Sequence, residues 1–86
     1  MDKFIKLVEK AIESTEVVTA DNVENIILWP EAHAIIRFVG QDGGYDSIAV
    51  ESEKHNVYAY WAPGFDPMFL DCDEQDFDKF VAVLED

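Results

Sequence analysis

Side chains that bind transition metals or act as nucleophiles are scarce in this sequence. His33, His55 and Cys72 stand far apart, with no C-x-x-C or H-x-x-x-H pair among them. Cys72 lies between Asp71 and Asp73, whereas a reactive cysteine needs an electropositive setting. We therefore expect no zinc site and an inert thiol. Since one cysteine forms no intramolecular disulfide, we also expect a cytoplasmic location.

Oxygen ligands are abundant, but they lack the spacing of a calcium loop. Asp71 and Asp73 match the first and third positions of an EF-hand loop. However, Asp76 occupies the sixth position, which requires glycine, and Ala82 the twelfth, which requires glutamate. The sequence has no glycine-rich phosphate loop, and 86 residues leave little room for a substrate cleft. We predict no cofactor, no catalytic residue and no enzymatic activity.

The charge balance indicates a binding function. Asp and Glu number 19 against 6 Lys and Arg, which gives a net charge of -13. Nucleic acids and anionic membranes are polyanions and repel such a chain, whereas a basic protein surface attracts it. We expect a protein partner with a basic nucleic-acid-binding surface, such as a nuclease or defence effector, and no direct contact with nucleic acid or membrane. Solubility is the alternative explanation.

Acidic residues are concentrated near the C-terminus and around one predicted hairpin. Glu74, Asp78 and Glu85 fall on one flank of a predicted helix. Carboxylates four residues apart on a helix stand roughly 5–6 Å from each other, similar to the phosphate spacing along a nucleic-acid strand. A solvated helix face is the alternative interpretation. The predicted partner-binding residues are Asp42, Gly43, Asp46, Glu51, Glu53, Asp71, Asp73, Glu74, Asp76, Asp78 and Glu85.

Two helices and four strands are predicted to position these residues. Apolar residues recur at helical spacing over residues 3–15 and 74–85. Alternating β-branched and aromatic residues, separated by turn signals, indicate strands between them. The predicted strands cover residues 23–29, 33–40, 45–51 and 56–62. The order α-β-β-β-β-α predicts one α+β domain over residues 1–86, with an antiparallel sheet of three to four strands and both helices on one face.

Aromatic residues surround a segment that is predicted to be a loop. Residues 62–70 contain two prolines and a glycine, which favour a loop despite the apolar content of the segment. Tyr58 and Tyr60 precede this loop, and Phe65 and Phe69 lie within it. We expect most of these rings in the core. One or two exposed rings would supply the anchor that a protein interface needs.

Four short segments occur in an order shared with a known family. They are Ile35-Ile36-Arg37, the turn Asp42-Gly43 with Tyr45 after it, Glu51-Ser52-Glu53, and the run Asp73-Glu74-Gln75-Asp76-Phe77. In these segments, and in its length and charge, the chain resembles the small acidic anti-CRISPR proteins with which phages block Cas9. The resemblance covers about half of the chain. The chain differs from the family at Tyr58-Ala59-Tyr60-Trp61, where the family has a helix.

The resemblance implies a function as well as a fold. Proteins of that family have a leading helix, an antiparallel sheet and closing acidic helices, and they occupy the surface that reads the DNA motif beside a target. For this chain it implies that Asp42 and Gly43 at the hairpin tip, together with Asp73, Glu74 and Asp76, imitate DNA.

The leading hypothesis is thus an inhibitor that acts as a DNA mimic in the cytoplasm of a host bacterium. Its carboxylates would replace phosphates in the basic groove of a nuclease or defence complex. Two alternatives stay open. The first is an immunity protein that neutralises a cognate nuclease toxin, and the second is a non-inhibitory acidic adaptor domain.

Overall fold

The computed structural model describes residues 2–14, 17–19, 24–41 and 44–85. The chain begins with helix α1 (Asp2–Ser14) and ends with helix α2 (Glu74–Glu85). The strands between them are β1 (Val17–Thr19), β2 (Asn25–Trp29), β3 (Ala34–Gln41), β4 (Gly44–Ser52), β5 (Val57–Trp61) and β6 (Met68–Phe69). Each strand pairs antiparallel with the next, so the order of strands in the sheet is the order in the chain.

The predicted α+β fold class is confirmed, and the sheet has one further short strand at each edge. The sequence did not predict β1, because three residues are too few to show an alternating pattern. β6 lies inside the predicted loop, where Met68 and Phe69 pair with Tyr60 and Ala59. Pro67 stands directly before this edge strand, a position where its missing N–H group costs no ladder hydrogen bond.

Both helices cover the same face of the sheet. α1 packs against β2, β3 and β4, whereas α2 packs against β5. Every second residue of the central strands points toward the helices and is buried. The sheet contributes to this core Ile27, Trp29, Ala34, Ile36, Phe38, Ile48, Val50, Val57, Ala59 and Trp61, and the helices contribute Phe4, Leu7, Val8, Ala11, Phe77, Phe80 and Val81.

Phe4 lies where the two helices and the sheet meet. Its ring centroid is 4.6 Å from that of Phe77 and 6.4 Å from that of Trp61, and both pairs are stacked. Only 1% of Phe4 is exposed. Burial of a phenylalanine side chain contributes about 1.5–3 kcal/mol, and stacked pairs add to this. Phe4 therefore joins the first helix to the last helix and to β5.

One bulge changes which side chains face the core near the β3–β4 hairpin. Val39 pairs with Ser47 and Gly40 pairs with Tyr45, so Asp46 is an extra residue in β4. Because side chains alternate along a strand, this insertion returns Tyr45 to the core side. The Tyr45 ring packs edge-on against Phe38, with their centroids 5.7 Å apart.

A buried serine connects two turns at the opposite end of the sheet. Between β2 and β3 the chain makes a 3₁₀ turn at Pro30–Ala32, and His33 follows it in the left-handed conformation, with φ of 52°. The hydroxyl of Ser52 donates to the carbonyl oxygen of His33 at 2.8 Å and accepts from the backbone N–H of His55 at 3.3 Å. Ser52 is 1% exposed, so these bonds satisfy a hydroxyl that water does not reach.

We expect Phe4→Ala to lower the free energy of unfolding by about 3–5 kcal/mol, because it removes a buried ring and leaves a cavity. Ile12→Ala on the same helix is the matched control, since Ile12 is 42% exposed. It should cost less than about 1 kcal/mol. Urea unfolding measured by circular dichroism tests both values, and equal losses would contradict the assignment of Phe4 to the core.

Ser52→Ala should lower the free energy of unfolding by about 1–3 kcal/mol, because the carbonyl oxygen of His33 and the N–H of His55 both lose their hydrogen-bond partner. Ser47→Ala, in the same strand on the other side of the sheet, should change it by less than about 0.5 kcal/mol. Hydrogen exchange of the His55 amide supplies a second readout, which should accelerate only in the Ser52 variant.

Candidate partner-binding site

No element within the described residues covers the second face of the sheet. The strand registers arrange its central side chains in two rows that cross the strands. The first row contains Leu28, Ile35, Glu51 and Tyr58, and the second contains Ile26, Arg37, Ala49, Tyr60 and Met68. We call these residues the open face. The expectation that most of the aromatic rings around residues 62–70 lie in the core is wrong, since Tyr58 is 45%, Tyr60 41% and Phe65 76% exposed; Tyr58 and Tyr60 lie on the open face.

The charged residues within the open face form an ion pair with each other. Nη1 of Arg37 lies 3.4 Å from Oε2 of Glu51. Both side chains are about two-fifths exposed, so the pair contributes only about 0–1 kcal/mol. Its larger consequence is that the centre of the open face carries little net charge. Glu51, a predicted site residue, therefore has a cation beside it.

A groove of about 260 Å³ borders the open face where β4 turns into β5. Glu51 and Glu53 line it from the hairpin, and Asp71 lines it from the segment before α2. Tyr58 and Leu70 supply apolar walls. The structure thus brings together three predicted site residues from two acidic clusters that are distant in sequence. Carboxylates beside an exposed tyrosine ring suit a cationic side chain, which can pair with the acids and stack on the ring.

A wider groove of about 910 Å³ adjoins the first one. Glu51 and Glu53 line both grooves, and Leu28, Ile35 and Lys54 line the wider one. The wider groove is a depression at one end of the sheet, and it shares only Glu51 and Glu53 with the smaller groove. The sequence predicted little room for a cleft; this depression is broad and open rather than enclosed.

Backbone contacts hold the walls of the smaller groove in position. Asn56 and Asp71 adopt left-handed conformations with φ of 55° and 58°, which asparagine and aspartate tolerate better than most residues. The N–H of Leu70 donates to the carbonyl of Tyr58 at 2.8 Å. Sγ of Cys72 accepts from the N–H of Tyr58 at 3.4 Å and donates to its carbonyl at 3.5 Å. No sequence pattern indicated this contact of Cys72.

One carboxylate of the predicted acidic row on α2, that of Asp78, faces α1. Lys3 of α1 forms an ion pair with Asp78. Lys10 donates to the carbonyl oxygen of Leu84, a terminal carbonyl of α2 that lacks a partner within its helix. The two contacts show that the helices run parallel. Lys3 thus lies within the flank that the sequence predicted to resemble a row of phosphates.

Two further site residues form the N-terminal cap of α2. Oδ1 of Asp73 accepts from the N–H of Asp76 at 2.9 Å, and Oδ2 of Asp76 accepts from the N–H of Asp73 at 3.3 Å. This reciprocal arrangement is a capping box. It satisfies free amides of the first turn and places negative charge at the positive end of the helix dipole. Asp73 and Asp76 therefore have a structural function of their own.

The remaining predicted site residues lie at separate places. Glu74 is exposed on the first turn of α2, and Asp46 is exposed in the bulge of β4. Asp42 and Gly43, the predicted hairpin tip, lie outside the described residues, as does the side chain of Glu85. The role of all these residues in partner binding stays a prediction.

The histidines lie close together near the wider groove. Their ring centroids are 6.4 Å apart, and Nε2 of His33 lies 3.3 Å from Nζ of Lys54. The ring of His55 also contacts Phe80, at 5.3 Å between centroids. Within the described ranges, no three His, Cys, Asp or Glu side chains form a group that could hold a metal ion. Helices in that part of the chain are too short or too polar to cross a membrane.

Comparison with known proteins assigns no family to the chain. No protein-family model matches it, and neither a curated protein nor a solved structure matches it.

Substitution of Asp73 should separate the capping function from the charge. We expect Asp73→Ala to lower the free energy of unfolding by about 0.5–2 kcal/mol, whereas Asp73→Asn should cost only a few tenths of a kcal/mol, since asparagine caps helices about as well as aspartate. Both variants remove the same charge. Glu74→Ala, on the neighbouring exposed residue, should lie within about 0.5 kcal/mol of wild type. Chemical denaturation gives all three values, and equal losses for Ala and Asn would rule out the cap.

Proposed function

We propose that this protein is an inhibitor that binds the basic nucleic-acid-binding surface of another protein, such as a nuclease or defence effector, in the manner of a DNA mimic. The observation that carries the proposal is the convergence of Glu51, Glu53 and Asp71 on one groove beside the open face. An ordered set of carboxylates on a rigid fold can occupy positions that phosphates occupy in the normal ligand of such a surface. The resemblance to anti-CRISPR proteins supports the same class of target.

The carboxylates best suited to the partner are those that have no structural task in the described fold and that border the groove. Glu53 and Asp71 are exposed, whereas Asp73 and Asp76 cap the N-terminus of α2 and Asp78 joins α2 to α1. The proposal therefore places the phosphate substitutes at the β4–β5 end of the sheet. The acidic flank of α2 would contribute less to partner binding.

The net charge of -13 sets the expected behaviour of the complex. A strongly acidic protein is steered toward a basic groove, and this steering raises the association rate at low salt. The screening length is only about 8 Å at physiological ionic strength, so added salt should weaken the attraction. This protein and DNA would then compete for the same basic surface of the partner.

Displacement by DNA tests the proposal. The immobilised protein is incubated with bacterial lysate, and bound proteins are eluted with a double-stranded oligonucleotide and identified by mass spectrometry. We expect nucleic-acid-binding proteins in the eluate, and the purified protein should in turn displace DNA from them. A partner that binds DNA and this protein simultaneously would contradict the mimicry.

Two double variants with the same net charge supply the control. Glu53→Lys with Asp71→Lys changes the groove, whereas Glu9→Lys with Glu13→Lys changes exposed residues of α1. The groove variant should bind its partner at least about tenfold more weakly, and the α1 variant less than about threefold. Similar losses in both would mean that net charge alone governs binding.

The immunity protein is the second candidate, and the exposed tyrosines favour it. Tyr58 and Tyr60 lie on the open face among apolar residues, and buried tyrosine is a frequent hot spot of tight protein complexes. A complex of this kind should survive about 1 M salt, where the screening length falls to about 3 Å. The captured partner would be a nuclease toxin that DNA does not elute.

A further inference from the structure

We propose that the open face is a docking surface for an amphipathic helix of the partner, with an apolar middle and Lys or Arg residues at both ends. The inference rests on the proposed function only in taking the partner to be a basic protein. It goes further in naming the face that is bound and the chemistry of the element that covers it.

The middle of the open face is apolar and accessible. Leu28 is 50%, Tyr60 41% and Met68 55% exposed, and Ile26 and Ile35 are partly exposed beside them. The central charges, Arg37 and Glu51, pair with each other and leave little net charge to attract an ion. A row of apolar side chains of this kind gains free energy by burial, roughly 25 cal/mol for each Å² removed from water.

The two ends of the open face are acidic. Glu53 and Asp71 lie where β4 turns into β5, and exposed Asp46 lies at the β3–β4 end. A partner that runs along the strands would therefore meet negative charge at both of its ends and apolar side chains between them. The complementary sequence is apolar in its middle and basic at its ends, which is the pattern of charges that electrostatic complementarity favours.

The dimensions suit a helix. β2 and β5 each have five residues, which span about 17 Å at roughly 3.4 Å per residue. A helix rises about 1.5 Å per residue, so about 11 residues cover this length. On the other face, helices of 13 and 12 residues cover the same sheet. A helix on the open face would complete a third layer.

A second copy of this chain is the less suitable occupant. Each copy has a net charge of -13, and a symmetric contact of open faces would bring acidic ends close to acidic ends. Like charges placed in this way oppose association. The partner helix supplies positive charge at those positions instead.

Two synthetic peptides of about 16 residues, long enough for about 24 Å of helix, test the surface. The first has a Leu and Ala face with Lys at both ends, and the second has the same composition in an order that scatters the Leu residues around the helix. Titration into isotopically labelled protein, followed by NMR, locates the contact. We expect shifts at Leu28, Ile35 and Tyr60, and binding of the ordered peptide at least about tenfold tighter than that of the scattered one.

Substitutions on the open face test whether the peptide binds there. Leu28→Ser and Tyr60→Ser should each weaken the ordered peptide about tenfold, because each removes apolar contact area. Val83→Ser is the matched control, since Val83 is 58% exposed on α2, away from the sheet, and it should change binding less than about twofold. Circular dichroism confirms that each variant is folded.

Equal affinity for the two peptides, or shifts confined to α1 and α2, would overturn the docking surface. Self-association of the wild type that Tyr60→Ser abolishes would also overturn it in favour of a second copy. Neither result bears on the displacement of partners by DNA, so failure of the docking surface and failure of the proposed function can be told apart. A helix seen on the open face in a complex that DNA does not dissociate would support docking and refute mimicry.

Discussion

The stacking of Phe4 on Phe77 joins the first helix to the last, and the rest of the structure depends on this contact. Both helices must lie on the same face of the sheet for these rings to meet, because a sheet separates its two faces completely. The chain has only two α-helices in its described part, so the other face keeps its Leu and Tyr side chains accessible. The core that stabilises the domain and the surface that can bind a partner are therefore two consequences of one packing arrangement.

The acidic residues fall into two groups with different physical tasks. Asp73 and Asp76 cap α2, and Asp78 pairs with Lys3 across the helices. The backbone N–H groups of α2 and the ammonium group of Lys3 stabilise these three carboxylates, and this offsets part of the charge repulsion within the negative chain. Glu53 and Asp71 instead stand exposed around a groove, where a cationic group of a partner can reach them. Negative charge gathered at one place on a folded surface attracts a cationic partner.

Periodicity in the sequence was sufficient to predict the helices and the four central strands, because each buries one face and shows this in its apolar spacing. It did not reveal β1 and β6, which are too short to show a period. The site was harder to predict. The spacing of Glu74 and Asp78 on α2 suggested a free row, but only tertiary structure shows that Lys3 reaches Asp78. Likewise, the meeting of Asp71 with Glu51 and Glu53 depends on strand register and on the path of the segment after β6. Neither the strand register nor the path of that segment can be deduced from the local sequence.

Charge and apolar area would act at different stages of binding by such a surface. Long-range attraction between the acidic ends and a basic partner speeds encounter and orients it, and salt screens this effect. Burial of Leu28 and Tyr60 acts only after contact and slows dissociation, and salt scarcely weakens it. For a partner surface bound by charge alone, added salt should both lower the association rate and raise the dissociation rate. A surface that combines acidic ends with an apolar centre loses association rate but retains its dissociation rate, so the separate salt dependence of the two rates distinguishes the two mechanisms in the same complex.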